Sequence, residues 1–506
     1  MTNPLFDALF EVHSGSTAPF IETPNGKIIR YHDFLGQVAQ YAHVITDRGL
    51  SPGDRVAAQV RKSVEALALY AACVQSGTVF LPLNVDYTPE ELAYFVSDSE
   101  AALLVGDPGK QDRLSALASE LDTQFLTLDA AGQGSLADEA AGKATSAPIA
   151  ARGLDDLASL LYTSGTTGRS KGAMLSQRNL ISNARALTEH WRFTARDTLL
   201  HALPIFHTHG LFVACNVTLL AGSKMVYLPK FDLDDVFRLL PKCTSMMGVP
   251  TFYTRMLADQ RLTADATRHM RVFISGSAPL LAETHLSFAE RTGQMILERY
   301  GMTETNMNSS NPYEGERRAG TVGQALPGTE IIITDPDTGA TLPAGEIGGI
   351  EVRGDNVFQG YWRMPEKTAE DLRSNGFFMT GDLGKFDQDG YLHIVGRSKD
   401  LIISGGYNVY PKEVELMLDD MPGVVESAVI GVPHADFGEG VLAVVVEEAP
   451  GSADPDALKA ELSTRLAKYK QPKAYICVTS LPRNTMGKVQ KNVLRDTYAS
   501  ALSEIG

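Results

Sequence analysis

Residues 162 to 172 read YTSGTTGRSKG, a segment whose hydroxyls, glycines and lysine suit contact with phosphate. Glycine lets backbone N–H groups approach an anion closely, and the lysine adds positive charge. The candidate phosphate ligands are Thr163, Ser164, Gly165, Thr166, Thr167, Gly168 and Lys171. The spacing differs from G-x-x-x-x-G-K-[ST], because Arg169 and Ser170 separate Gly168 from Lys171. A flexible surface loop is the alternative, but hydroxyls and lysine together favour a phosphate site.

Two further segments hold side chains that could complete a nucleotide site. In RYGMTE, Tyr300 offers a flat face to a base, Thr303 a hydroxyl, and Glu304 an oxygen ligand for Mg²⁺. In FFMTGDLG, Asp382 follows a strand-like run and could hold two ribose hydroxyls. Each segment alone also fits a structural role, either a helix-starting Thr–Glu pair or a turn aspartate.

Two cations lie nearer the carboxyl terminus. Arg397 in GRSKD could reach a ribose or phosphate, and a surface salt bridge is its alternative role. Lys488 lies in LPRNTMGKVQKN, a segment punctuated by proline and glycine. A mobile lysine there could neutralise charge that develops on a carboxylate and an α-phosphate, although most such lysines are simply solvated.

The elements that must position these residues alternate between helix and strand. RKSVEALALYAACVQSG has the pattern of an amphipathic helix ending near Gly77, and TVFLPL follows as a strand. Thr88 and Pro89 suit the start of a second helix, and AALLVG is the next strand. This alternation predicts an α/β fold with mostly parallel sheets covered by helices.

The glycine-rich segment is predicted to join strand to strand. Residues 130–155 are rich in Ala, Gly and Ser, and we interpret them as a loose connection. LASLLY then forms a strand, GAML a short returning strand, and Ser176 the cap of a following helix.

The last hundred residues have the pattern of a small α+β domain. PKEVELMLDD and DALKAELSTRLAKY are predicted helices, and VVESAVIGV, VLAVVVEE and AYICVTSL are predicted strands. We therefore expect two domains, residues 1–397 and 398–506, with a hinge near Lys399.

The composition bounds the class of protein. A chain of 506 residues needs more than one core, and 44% hydrophobic residues are typical of globular proteins. A net charge of −16 argues against broad binding of nucleic acid or anionic membranes.

The four cysteines form no CxxC pair, which disfavours a zinc site or redox dithiol. Without a secretory signal in MTNPLFDALF or an apolar run of membrane length, we expect a cytoplasmic enzyme with no membrane insertion.

The motifs occur in the order YTSGTTGRSKG, SGSAP, RYGMTE, TGD, GRSKDLIISGG and PRNTMGK. Together they resemble the adenylate-forming superfamily of acyl-CoA synthetases, peptide-synthetase adenylation domains and beetle luciferases, over roughly residues 25 to 495. The resemblance implies a large N-terminal domain and a small, mobile C-terminal lid. It also implies two half-reactions: a carboxylate attacks the α-phosphate of MgATP to give acyl-AMP and pyrophosphate, and the thiol of CoA then displaces AMP.

The same resemblance implies a role for each motif residue. The glycine-rich loop would hold the β- and γ-phosphates, which leave together as pyrophosphate. The implied contacts are the adenine side at Gly276, Ser277 and Ala278, the base at Tyr300, the α-phosphate at Thr303, Mg²⁺ at Glu304, and ribose at Asp382 and Arg397. The implied lid residues are the hinge Lys399, the adenylation lysine Lys488, and Gly405 and Gly406 beside the pantetheine thiol. Acetylation of Lys488 would neutralise it and stop adenylation.

Two segments suggest the carboxylate substrate. LPIFHTHGL and GVPTFYTRML match acyl-pocket regions of the superfamily, and they carry His207, Thr208, His209 and Arg255. An arginine is costly to bury without an anion, and its fork suits a carboxylate. With SGSAPLL, ERYGMTETNMN and WRMPEKT, these segments resemble the group of malonate–CoA ligases. That resemblance implies that Arg255 and Ser277 contact the distal carboxylate of malonate, with His207 a further candidate for catalysis and substrate contact.

Other functions stay open at this point. Arg255 could face solvent or a neighbouring acid, and the substrate could be methylmalonate or another short acid such as acetate. A domain that loads a carrier protein is less favoured, because no carrier-like segment follows residue 495. A non-catalytic nucleotide-binding module is disfavoured by the retained Lys171, Glu304 and Lys488.

Overall fold

The structure is a computed structural model that describes residues 3–163, 170–336, 338–404, 407–434, 437–484 and 487–502. Its α-helices are α1 Pro4–Leu9, α2 Tyr31–Asp47, α3 Val64–Ser76, α4 Pro89–Asp98, α5 Gln111–Glu120, α6 Ser135–Ala140, α7 Gln177–His190, α8 Asn216–Ala221, α9 Leu233–Leu239, α10 Pro250–Leu257, α11 Ala264–Thr267, α12 Ala282–Thr292, α13 Pro365–Asp371, α14 Pro411–Asp419, α15 Pro455–Arg465 and α16 Lys491–Thr497. Its strands are β1 Pro19–Glu22, β2 Ile28–Arg30, β3 Arg55–Gln59, β4 Val79–Pro82, β5 Ala101–Gly106, β6 Gln124–Thr127, β7 Leu157–Thr163, β8 Lys171–Ser176, β9 Thr198–His201, β10 Lys224–Tyr227, β11 Ser245–Gly248, β12 Val272–Ser275, β13 Leu297–Met302, β14 Asn306–Ser310, β15 Gln324–Ala325, β16 Thr329–Thr334, β17 Gly348–Gly354, β18 Phe378–Phe386, β19 Leu392–Arg397, β20 Ile402–Ser404, β21 Tyr407–Val409, β22 Val424–His434, β23 Gly438–Glu447 and β24 Ala474–Val478.

The chain divides into two compact units. The first comprises Met1–Glu330 and Val352–Phe378, and the second comprises Ile331–Glu351 and Met379–Gly506. The second unit thus takes in residues from before the expected hinge as well as the carboxyl-terminal region. The boundary between residues 397 and 398, as the limit of a moving lid, stays a prediction.

Two sheets organise the first unit. One has the order β6-β5-β3-β4-β7-β8 and is parallel except for its last pair, β7 and β8. The other has the order β15-β14-β13-β12-β11-β9-β10-β1-β2, and β13, β12, β11, β9, β10 and β1 run parallel within it. The predicted α/β fold with mostly parallel sheets is confirmed.

Local sequence signals fix the helix ends as predicted. Ser63 caps α3, which ends at Gly77 in the left-handed conformation. Thr88 forms a capping box with Glu91 at the start of α4, and Ser176 forms one with Asn179 at the start of α7. The expectation of a loose connection over residues 130–155 is partly wrong, because they contain the short helix α6, which buries Leu136 and Ala140.

The second unit has the predicted α+β character. It holds most of a sheet of order β16-β17-β18-β19 and a sheet of order β21-β20-β23-β22, to which β24 adds beside β23. Helices α14 and α15 pack on an apolar core beside β22 and β23 that includes Val414, Leu418, Val429, Val441 and Leu462. The predicted helices and strands of this region are confirmed. Within the described ranges, none of the helices combines the length and apolarity needed to cross a membrane.

Candidate active site

The glycine-rich segment connects two antiparallel strands. In the β7–β8 hairpin, Thr163 pairs with Lys171, so the strand-to-strand connection expected from sequence is confirmed. Thr163 and Lys171 flank the loop on either side. The predicted phosphate ligands Ser164, Gly165, Thr166, Thr167 and Gly168 lie outside the described residues.

Lys171 is held by an acid and by an aromatic ring. Its Nζ lies 3.7 Å from Oδ2 of Asp371 and 4.2 Å from the centre of the Tyr361 ring. The side chain is about one-fifth exposed, at 21%. A lysine held at the mouth of a glycine-rich loop can supply charge to a phosphate there.

Glu304 lies in the turn between β13 and β14. Thr303 is half-buried, Glu304 is buried, and the turn joins antiparallel strands, so the alternative of a helix-starting pair is wrong. The Tyr361 hydroxyl donates to Oε1 of Glu304 at 3.2 Å. The described residues form no cluster of three or more metal-ligating side chains. A single buried carboxylate fits Mg²⁺ that arrives with substrate phosphates, since Mg²⁺ commonly binds one or two carboxylates plus phosphate oxygens.

The carboxyl ends of parallel strands collect the other predicted residues. β11, β12 and β13 are neighbours, and Gly276 follows β12 directly while Tyr300 lies near the end of β13. Ala278 and Tyr300 are half-buried. In open α/β sheets, ligands bind at this edge, so the predicted adenine and acyl contacts lie where such sites form.

Ser277 is held in an unusual backbone conformation. Its φ is +73°, in the left-handed region that favours glycine, and its Oγ lies 3.1 Å from Nδ1 of His209. Strain of this kind persists where surrounding contacts fix a residue, and it is frequent at binding sites. Ser277 and His209, from separate predicted motifs, are therefore brought together.

His209 begins a π-helical segment, His209–Cys215, a form often found at functional sites. A Cβ at Gly210 would lie 1.9 Å from the Pro204 carbonyl oxygen, so only glycine fits after His209. Burial lowers the pKa of His209 well below its usual value, and the nearby Arg299 charge lowers it further. The imidazole is neutral, so one ring nitrogen carries the proton and the other can accept a hydrogen bond.

Arg299 is a buried residue that sequence reasoning missed. It is 3% exposed, and its Nε and Nη2 have no hydrogen-bond partner within the described part of the chain. A Cβ on Gly276 would lie 2.4 Å from its Cζ, so the guanidinium lies against the segment that carries Ser277. Burial lowers the pKa of Arg299 to about 9, which leaves it charged at neutral pH. A buried cation with donors to spare can bind an anionic group.

Arg255, by contrast, is exposed on α10. The same helix buries Tyr253, whose hydroxyl donates to the Ile274 carbonyl oxygen at 2.6 Å. His207 is half-buried, and its carbonyl oxygen accepts from the Leu211 N–H at 3.0 Å. These contacts do not test the malonate roles of Arg255 and His207, which stay predictions.

In the second unit, Asp382 and Arg397 are brought together. They are paired residues of β18 and β19, and Arg397 Nε lies 3.0 Å from Asp382 Oδ1. Asp382 is buried, whereas Arg397 is 39% exposed. The preceding Gly381, within β18, has φ +72°, a backbone conformation that favours glycine. Asp382 lies within strand β18, so the turn-aspartate alternative is wrong, whereas the salt-bridge alternative for Arg397 describes the observed contact.

Two further predicted residues of this unit, Lys399 and Lys488, are exposed. Lys399 lies on a short 3₁₀ turn after β19, and Lys488 lies on a hairpin that Arg483 and Val489 close. The Lys488 N–H donates to Oδ1 of Asn484 at 3.0 Å. The predicted CoA residues Gly405 and Gly406 lie outside the described ranges.

Comparison with known proteins gives concordant matches. The model of the AMP-binding enzyme family matches residues 10–362, and that of the AMP-binding enzyme C-terminal domain matches residues 413–488. The chain is similar to ATP-bound MatB from Rhodopseudomonas palustris, with 57% identity, a TM-score of 0.97, and 99% of this chain and 100% of that chain covered. A malonate–CoA ligase of Arabidopsis thaliana is 35% identical over 88% of this chain and 78% of its own length. A feruloyl-CoA synthase of an Amycolatopsis species is 37% identical over 94% of both chains.

Proposed function

The chain belongs to the AMP-binding enzyme family, and from that premise we propose that it is an AMP-forming malonate–CoA ligase. It converts ATP, malonate and CoA to malonyl-CoA, AMP and diphosphate through a malonyl-adenylate. The similar protein named malonate–CoA ligase in A. thaliana supports this substrate. The single structural observation that carries it is the buried Arg299 guanidinium beside Ser277, with donors that no described residue uses.

The distal carboxylate of malonate pairs with Arg299. Ser277 Oγ and the neutral imidazole of His209 lie together at the same strand ends and can add hydrogen bonds. Because burial has stripped water from Arg299, an anion there gains more from the charge than it would at the surface. The family resemblance adds Arg255 as a further contact of the distal carboxylate and His207 as a candidate for substrate contact. A monocarboxylate would leave the buried cation without a partner.

Adenylation uses the residues around the glycine-rich loop. Lys171 and the loop hydroxyls hold the β- and γ-phosphates, Thr303 binds the α-phosphate, and Tyr300 stacks on adenine. Asp382 and Arg397 bind the ribose hydroxyls. Lys488 neutralises charge as the carboxylate attacks the α-phosphate.

Mg²⁺ bound with ATP would neutralise part of the phosphate charge. Glu304 would hold it, since its carboxylate is buried, is oriented by Tyr361, and follows the predicted α-phosphate contact Thr303 in the chain. Phosphate oxygens would complete the remaining ligand positions.

Thioester formation follows adenylation at the same cleft. We infer that residues 398–506 turn as a lid about Lys399, which removes Lys488 and brings Gly405 and Gly406 to the pantetheine thiol. The thiol then displaces AMP. The exposure of Lys488 makes it accessible to acetylation, which would abolish its charge. A cytoplasmic location stays a prediction from sequence.

Methylmalonate is the second candidate substrate. It presents the same distal carboxylate to Arg299, and an added methyl group changes binding by only about 1–3 kcal/mol. We therefore expect malonate and methylmalonate to form one group, well separated from monocarboxylates.

A substrate panel tests the proposal. Pyrophosphate release and CoA-thioester formation are measured with MgATP for malonate, methylmalonate, succinate, acetate and octanoate. Malonate should lead acetate in kcat/KM by at least about 30-fold, the cost of leaving a buried charge without its partner. If acetate or octanoate leads, the family assignment stands and the malonate assignment fails. A requirement for an added carrier protein in place of CoA would indicate a carrier-loading enzyme instead.

A further inference from the structure

Tyr361 touches two residues to which the proposed reaction gives separate tasks. The Lys171 ammonium lies over its ring at 4.2 Å, and its hydroxyl donates to Oε1 of Glu304 at 3.2 Å. Lys171 begins β8 beside the glycine-rich loop and Glu304 lies in the β13–β14 turn, two positions that are distant in sequence. One buried side chain, 3% exposed, therefore connects them.

The backbone around Tyr361 is tied to both of these elements. On the side of β8, the Trp362 N–H donates to the Gly172 carbonyl oxygen at 2.7 Å, and Ala173 pairs with Tyr361 as an isolated bridge. On the side of the turn, the Phe358 N–H donates to the Glu304 carbonyl oxygen at 2.8 Å. The segment around Tyr361 therefore fixes the position of β8, next to the glycine-rich loop, relative to the Glu304 turn.

A third contact fixes the residue itself. The Tyr361 N–H donates to Oγ1 of Thr368 at 2.9 Å, and Thr368 lies within α13. The ring also packs edge-on against Phe358, with centroids 4.9 Å apart. With its main chain and ring both fixed, the hydroxyl oxygen is held beside the Glu304 carboxylate.

Asp371, at the end of α13, completes the arrangement. Its Oδ2 lies 3.7 Å from Lys171 Nζ, while its Oδ1 accepts from Lys367 Nζ at 2.9 Å. Because Lys367 already satisfies one oxygen, Lys171 can leave Asp371 for a phosphate without stripping that carboxylate of all its cations. The face of Tyr361 then remains as a fixed surface along which the lysine extends.

We propose that Tyr361 is a positioning residue for adenylation: its ring directs Lys171 toward the phosphates, and its hydroxyl orients the Glu304 carboxylate for Mg²⁺. The inference rests on the proposed function, because it uses the phosphate and metal roles given there. The hydroxyl donates to Oε1 of Glu304 at 3.2 Å, so it fixes how the carboxylate is turned. Partners that orient a metal ligand commonly change metal affinity by 10- to 100-fold when removed.

Two substitutions separate the hydroxyl from the ring. Tyr361→Phe keeps the ring under Lys171 and removes only the hydroxyl, whereas Tyr361→Leu removes both. Tyr31→Phe is the matched control, since it removes a buried hydroxyl that donates to the Ser223 carbonyl oxygen at 2.7 Å. Melting temperatures of all three variants report whether the fold is kept.

The primary readout is ATP affinity by titration calorimetry, in Mg²⁺ and again in EDTA, with no malonate or CoA present. Tyr361→Phe should lose about tenfold in affinity with Mg²⁺ and less than twofold in EDTA. Tyr361→Leu should lose affinity in both, because Lys171 is no longer directed. In steady-state assays, Tyr361→Phe should raise the KM for Mg²⁺ and largely keep kcat at saturating Mg²⁺.

An equal loss for Tyr361→Phe in Mg²⁺ and EDTA, or a Mg²⁺ response like that of the wild type, overturns the inference. The inference also fails if Tyr31→Phe shows the same Mg²⁺-specific loss. Failure of the proposed function is distinguishable, because it would appear as absent MgATP binding in the wild-type chain or as the wrong acid in the substrate panel.

Discussion

At the scale of single residues, burial separates Arg255, which the sequence motifs singled out, from Arg299, which they did not. Arg255 is exposed and can satisfy its donors with water, whereas Arg299 is 3% exposed and cannot. Burying a charged guanidinium is unfavourable unless an anion pairs with it. The charge of Arg299 is therefore better suited than that of Arg255 to select a dicarboxylate.

Gly276→Ala tests the position of Arg299 without removing its charge. The new Cβ would lie 2.4–2.6 Å from the guanidinium, which must shift, while the backbone of Gly276 needs no positive φ. Since a misplacement of about 1 Å can cost up to 10²-fold, we expect kcat/KM for malonate to fall about 10- to 100-fold. Activity with acetate should change little.

Steady-state kinetics with both acids check this expectation, with the melting temperature as a control for folding. A rise in the KM for ATP with unchanged selectivity between malonate and acetate would contradict it. Gly276 would then act at adenine alone, as its motif implies.

Sequence reasoning was strong for residues in recognisable motifs and weak for residues defined by packing. Lys171 and Glu304 stand in ordered motifs, and the structure joins them through Tyr361. Arg299 precedes Tyr300 within RYGMTE, so its type was visible. Its burial, however, includes contact with Gly276, which directly follows the neighbouring strand β12, and no local pattern reports such a contact.

At the scale of elements, the predicted boundaries were accurate where capping and periodicity agree. α4 and α7 begin at capping boxes, and α3 ends at a left-handed glycine. The pairing of β7 with β8 was predicted because the short apolar run GAML comes directly after the glycine-rich segment. Helix α6 was missed because a six-residue helix in Ala- and Gly-rich sequence carries little periodic signal.

The contact between α14 and β22 predicts a pH effect on stability. Burial is the main cause that raises the pKa of Asp419 to about 6, although the nearby Lys412 and a hydrogen bond from Ser427 favour its charged form. Because the folded pKa exceeds the unfolded value of 3.8, the stabilisation is complete below pH 4 and is lost as pH rises through 6. A shift of this size corresponds to roughly 2–3 kcal/mol.

Asp419→Asn should remove this dependence. The amide cannot ionise, so the melting temperature of the variant should rise relative to the wild type on going from pH 4 to pH 8. Asp420→Asn, a change at the exposed neighbour, is the matched control and should follow the wild-type profile. Parallel profiles for Asp419→Asn and the wild type would show that Asp419 titrates normally.

At the scale of the whole molecule, composition and motif order carried the assignment. The net charge of −16 disfavours nucleic-acid binding without excluding an anionic substrate, which needs only a local cation such as Arg299. The matched family models cover residues 10–362 and 413–488, close to the span expected from the motifs. The two compact units were less predictable, because Ile331–Glu351 groups with residues far along the chain through contacts of the β16–β19 sheet.

The central claim is that a buried arginine selects a dicarboxylate for adenylation. The most direct test is the ratio of kcat/KM for malonate to that for acetate, in the wild type, Arg299→Met and the matched exposed change Arg255→Met. We expect Arg299→Met to lower this ratio by at least about 30-fold through loss of malonate activity, with acetate activity retained. Arg255→Met should have the smaller effect. An unchanged ratio in Arg299→Met, or equal losses for both acids, would contradict the account.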